Sequence, residues 1–105
     1  MTQTERTYLH VQVIDEDSNF TLLELCQACN ASEELITALV VEGVLEPMGE
    51  QPQEWHFNGT ALRRAQLAQH LAHDLELNTP GVALAIDLLE KIERLEAQLQ
   101  HLGRY

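Results

Sequence analysis

Residues 20–47 hold two helix starts and one helix stop, spaced so closely that few folds accommodate them. Phe20-Thr21-Leu22-Leu23-Glu24-Leu25 is a complete amino-terminal helix signal. Thr21 can cap the amide of the third helical residue while Glu24 reaches back to the amide of Thr21, and Phe20 and Leu25 occupy the hydrophobic-staple positions. The pattern predicts a helix from Leu22 to about Cys29. Asn30 and Ala31 form a tight turn, and Ser32 caps a second helix with Glu33 and Glu34 in its first turn, where the helix dipole favours anions. Leu35, Ile36, Leu39 and Val40 form the apolar stripe of that helix. Gly43 suits the left-handed residue that ends a helix, with Val44 and Leu45 folding back and Pro47 blocking continuation. Two short helices around a tight turn make a helix-turn-helix unit.

The flanks extend this unit. Tyr8 to Ile14 alternates, with Leu9, Val11 and Val13 on one side, and predicts a short half-buried strand. Residues 46–57 read as a hairpin or wing, with Gly49 and Pro52 at the bend and Trp55 and Phe57 on one face of the returning strand. The Tyr8–Ile14 strand is expected to join that sheet. A third helix is predicted from about Thr60 to Leu77, then a break at Asn78-Thr79-Pro80, with Thr79 as cap and Pro80 at the first helical position. In the last helix Ala85, Leu88, Ile92, Leu95, Leu99 and Leu102 form an a/d seam. Asp87 with Lys91 and Glu90 with Arg94 stand as i,i+4 pairs, each worth about 0.2–0.5 kcal/mol. One reading packs this helix on its own domain. The seam runs on after a domain of this size should have no more core to cover, which favours a homodimer, parallel or antiparallel. The expected fold class is mainly α: a winged helix-turn-helix with a small β-sheet (residues 1–80) and a long carboxy-terminal dimerisation helix (residues 81–105).

Charge conflicts with the usual role of such a unit. Between Arg6 and Arg63 there is no lysine or arginine, but there are ten carboxylates: Asp15, Glu16, Asp17, Glu24, Glu33, Glu34, Glu42, Glu46, Glu50 and Glu54. Duplex DNA is bound mainly by neutralising phosphates with Lys and Arg, so this surface would be repelled. The net charge of −11 is unevenly placed: residues 1–54 carry −10 and residues 55–105 carry −1. That asymmetry suits a basic partner. The amino terminus has no secretory pattern and no apolar run approaches the roughly 20 residues of a membrane span, so the expected location is cytoplasmic.

Other chemistry has little support. Cys26 and Cys29 form a lone C-x-x-C without a second ligand pair, and read as small buried thiols rather than a zinc site. His70 and His73 share a helix face near Asp74 and Glu76, but lack the H-E-x-x-H spacing of a zinc protease. There is no glycine-rich phosphate loop and no G-x-S-x-G elbow. The expectation is a non-enzyme with no catalytic residues, no metal site and no cofactor.

The order of elements, and the residues from Phe20 to Cys26, Ala31-Ser32 and Glu42 to Pro47, resemble the MerR-like regulators. The closer resemblance is to the acidic CbpM-type chaperone modulators. It rests on Glu24-Leu25-Cys26, the V-E-G-V-L-E-P ending at Pro47, Trp55-His56-Phe57, Arg64-Ala65 and the run from Leu75 to Ala85. That resemblance implies a protein that binds the J domain of the DnaJ-like co-chaperone CbpA, inhibits it by occupying that domain, and restrains its association with DNA. A J domain presents a basic helix, to which an acidic surface is complementary. The candidate contacts are Glu33, Glu34, Glu42, Glu46, Glu50 and Glu54. Trp55 is either an anchor for the partner or part of the sheet core. The alternative is a MerR-type DNA-binding transcriptional regulator, whose only phosphate contacts would be Arg63, Arg64, Lys91, Arg94 and Arg104, all outside the helix-turn-helix and wing. A third reading is an acidic subunit for some other basic protein.

Overall fold

The computed structural model describes residues 17–103, so the strand expected over Tyr8–Ile14 lies outside the described residues. The order is β1 (Phe20–Thr21), α1 (Leu22–Cys29), α2 (Glu33–Val41), a 3-10 turn (Pro52–Glu54), β2 (His56–Phe57), α3 (Gly59–Asp74) and α4 (Thr79–His101). This is a mainly helical winged helix-turn-helix with a small antiparallel sheet and a long last helix.

The local signals work through identifiable bonds. The Glu24 amide donates to Thr21 Oγ1 at 3.2 Å and the Thr21 amide to Glu24 Oε1 at 2.9 Å, closing the capping box of α1. The Leu35 amide donates to Ser32 Oγ at 3.1 Å. At the end of α2 the Val44 amide donates to the Leu39 carbonyl and the Gly43 amide to the Val40 carbonyl, a Schellman stop with Gly43 at φ 80.

The wing forms around β2. Phe20 pairs with Phe57 and Thr21 with His56 in antiparallel register, while Met48 bridges His56 from the other side. The returning segment thus uses the residues just before α1 as its neighbour, a strand too short for any alternation to announce it. At Gly49, φ is 108 and an added Cβ would stand 2.5 Å from the Glu54 carbonyl oxygen, so only glycine closes this loop.

Two boundaries differ from expectation. The third helix ends at Asp74 rather than Leu77, with Leu75 capping it and Glu76 in the left-handed region at φ 53. The cap of α4 is Asn78, whose side chain accepts from the Gly81 amide at 2.8 Å, and Thr79 and Pro80 lie inside the first turn. An Asn side-chain oxygen serves as a cap at least as well as a Thr hydroxyl, and it stands one residue earlier.

The core is one cluster, containing Leu25, Ile36, Leu39, Leu45, Phe57, Ala65, Ala68, Val82 and Ile86. Alanines on α3 let α1 and α4 pack closely against it. α4 enters this core through the buried Val82 and Ile86, with Ala83 and Ala85 packed at the edge, all near its amino-terminal end. Its 23 residues span about 34 Å, so its second half runs clear of the core. Among the described residues, no helix is long and apolar enough to cross a membrane.

Candidate functional site

The outer surface of α1, α2 and the wing carries carboxylates and no lysine or arginine. Glu33 and Glu34 stand in the first turn of α2, Glu42 caps its end, Glu46 follows in the loop, and Glu50 and Glu54 lie on the wing. All six carboxylates are exposed, and no ion pair within the described residues engages any of them. No lysine or arginine occurs from Asp17 to Phe57.

Trp55 is half-buried and packs against the core, its ring meeting that of Phe57 edge-on at 6.0 Å and 82°. Much of the indole therefore pins the wing to the domain. The cysteines lie inside α1 against the core. Burial pushes the Cys29 thiol up to about 11, with Cys26 adding to it, and raises Cys26 as well. Both thiols are thereby held in their unreactive, protonated form near neutrality.

The basic groups cluster elsewhere. Glu90 was expected to pair with Arg94 along its own helix; it pairs instead with Arg64 of α3. The guanidinium donates from Nε to Glu90 Oε2 at 2.7 Å and from Nη2 to Oε1 at 3.2 Å, with Nη1 on the Val44 carbonyl at 3.3 Å. This fork ties α3, α4 and the end of the helix-turn-helix together, and a bidentate carboxylate outcompetes a solvated i,i+4 neighbour. At the end of α3, Asp74 accepts from His70 at 2.8 Å and His73 at 3.0 Å. Among the described residues, no three His, Cys, Asp or Glu side chains are grouped so as to hold a metal ion.

The seam residues of α4 divide cleanly. Ala85 is half-buried, while Leu88, Ile92, Leu95, Leu99 and Leu102 are 38–67% exposed, as is Leu84, one position before Ala85. The outward face of α2 holds a feature the charge pattern had hidden. Val41 is 80% exposed, opposite the buried Ile36 and Leu39. Counting from Glu34 in steps of three and four around the helix would have found it.

Comparison with known proteins adds the relationship. Residues 20–104 match the MerR HTH family regulatory protein model, a span from β1 past the end of α4. The chain is 41% identical over 93 residues to the chaperone modulatory protein CbpM of Coxiella burnetii (strain Dugway 5J108-111), covering 89% of this chain and 88% of that one. It is 36% identical to CbpM of Pseudomonas putida (strain W619) and 38% to CbpM of Pseudomonas entomophila (strain L48), each over 77% of this chain and 84% of the relative. The chain belongs to the CbpM family. In this CbpM-family chain the helix-turn-helix, wing and α3 all fall inside the matched span, so the acidic surface is built on the family's shared frame.

Proposed function

We propose that this protein is a non-enzymatic, cytoplasmic chaperone modulator that binds the J domain of a CbpA/DnaJ-like co-chaperone and inhibits it by occupying that domain. The observation that carries the reading is the helix-turn-helix surface, with six exposed carboxylates and no cation. Such a surface attracts a basic helix and repels a duplex, so the acid supplies steering and partner selection while buried anchors supply affinity. The names of the relatives agree with a role on chaperones.

The test is calorimetric titration of the protein into an isolated CbpA-type J domain, with duplex DNA in a parallel cell. Micromolar or tighter binding to the J domain, with none to DNA, is the expected result. Binding to DNA alone would overturn the reading in favour of a MerR-type regulator. Glu33→Lys with Glu34→Lys should weaken the complex at least about ten-fold while leaving the fold intact; unchanged affinity would remove the start of α2 from the interface.

The protein is proposed to act as a homodimer through Leu88, Ile92, Leu95, Leu99 and Leu102, with Ala85 at the edge. These five side chains are all exposed and follow one another along one helix as a continuous apolar stripe, the kind of patch through which proteins associate. Two chains of charge −11 repel, and α4 is where they can meet, because Lys91 and Arg94 intersperse its acids. Sedimentation should give twice 11.9 kDa. Leu95→Asp with Leu99→Asp, in the half of α4 beyond the core, should give a folded monomer.

A further inference from the structure

We infer that the outward face of α2, centred on Val41, is a low platform against which a basic amphipathic helix of the partner lies; this rests on the J-domain reading and names where its affinity comes from. Thr37 and Ala38 each stand three or four residues from both Glu34 and Val41, so all four lie on the side of the helix turned away from Ile36 and Leu39. In a helix that reads DNA, this face carries the long polar and basic side chains that reach base edges and phosphates. On this face the residues between Glu34 and Glu42 are Thr37, Ala38 and Val41, and none extends further than a valine or threonine.

Short side chains let two helix axes approach to the near end of the usual 8–10 Å. Thr37 and Ala38 are half-buried and add little relief, so Val41, 80% exposed, is the most prominent apolar group on the face. Acid brackets it at both ends: Glu33 and Glu34 in the first turn, Glu42 at the cap and Glu46 just beyond. The arrangement is an apolar centre within an anionic rim. Its complement is a helix with an apolar stripe flanked by Lys and Arg. Close apolar contact in the middle would exclude water and give affinity, while rim charges set the encounter rate. Trp55, held edge-on against Phe57 and packed on the core, is replaced by Val41 as the anchor.

Two variants of the full chain separate anchor from rim, because neither changes a charge. Val41→Gln removes the apolar centre, and Ala38→Gln raises the floor of the platform; both keep a good helix former at a position outside the core. Titrated into the J domain, each should bind about ten-fold or more weakly than wild type. The slope of log Kd against log salt should stay unchanged, whereas Glu33→Lys with Glu34→Lys should flatten it. Circular dichroism should show wild-type helix content in all three. Wild-type affinity for both neutral variants, alongside weakening by charge reversal, would overturn the platform and leave the acidic-surface reading standing. Failure of the wild-type protein to bind the J domain would overturn both.

Discussion

The segment from β1 to β2 and the α3–α4 pair share one core but present opposite outer surfaces. The first buries Leu25, Ile36, Leu39, Leu45 and Phe57, and shows solvent carboxylates, uncharged polar groups and a few isolated apolar side chains, with no lysine or arginine. The second buries alanines, Val82 and Ile86, and shows solvent mixed charge and a row of leucines. In the first the interior specifies the fold and the exterior selects a partner by sign. In the second, a single helix has one face for its own domain and another left uncovered. A low overall pI would describe both halves equally and miss this division.

The sharpest way to break the contrast is to make the same substitution on the two faces of α4. Ile86 is buried and Ile92 is half exposed, six residues along the same helix. Ile86→Ala should cost about 2–5 kcal/mol in denaturant unfolding, from lost burial plus the residual cavity. Ile92→Ala should cost under about 1 kcal/mol when measured at a protein concentration too low for association. If the stripe pairs with a second copy, the Ile92→Ala deficit should grow with protein concentration, and the wild-type Tm should rise with it. Equal costs at low concentration would mean that α4 has no free face, and the contrast would collapse.

What could be read beforehand follows the same division. The helix-turn-helix was legible because its signals are local: Thr21 with Glu24, Ser32 with the Leu35 amide, and Gly43 at its positive φ each act within a few residues. The acidic character of the surface was legible too, since carboxylates rarely go inside. Features that depend on distant partners were not. Glu90 has Arg94 at the favoured helical spacing, but Arg64, 26 residues away, takes it. Phe20 and Thr21 carry a staple and a cap, and nothing local marks them also as the strand beside β2. Val41 stands outside the stripe of Leu35, Ile36, Leu39 and Val40, and nothing local marks it as the exposed apolar group of the opposite face.

The second prediction concerns the junction of the two regions. Both members of the Arg64–Glu90 fork are about one-third exposed, so solvent weakens their attraction. A double-mutant cycle with Arg64→Met and Glu90→Gln should return a coupling of about 0.5–1 kcal/mol, reduced by salt. The same cycle between Glu90 and Arg94 should give a value close to zero. The reverse ranking would return α4 to a set of local pairs and remove the clamp on the Val44 carbonyl.

The smallest effect sits at the end of α3, where the second region's histidines meet its acid. The hydrogen bond from His73 holds the Asp74 carboxyl below the usual carboxylate range; desolvation opposes it, and the charges of His70 and His73 add smaller lowering effects. A carboxyl whose folded pKa is depressed adds stability above its unfolded pKa of about 3.9, and loses it as pH falls through the folded value. Because the Asp74 side chain is about half exposed and solvent screens its interactions, the effect should be seen in its own titration and hardly at all in Tm. Carbon-detected NMR of the carboxyl should show a midpoint below that of an unfolded control. His73→Asn should move that midpoint further up than His70→Asn does, since it removes both the leading hydrogen bond and a nearby charge. Equal shifts from the two variants would mean that charge alone sets the carboxyl. The cluster would then be an ordinary example of the mixed-sign surface that distinguishes α3 and α4 from the uniformly acidic face.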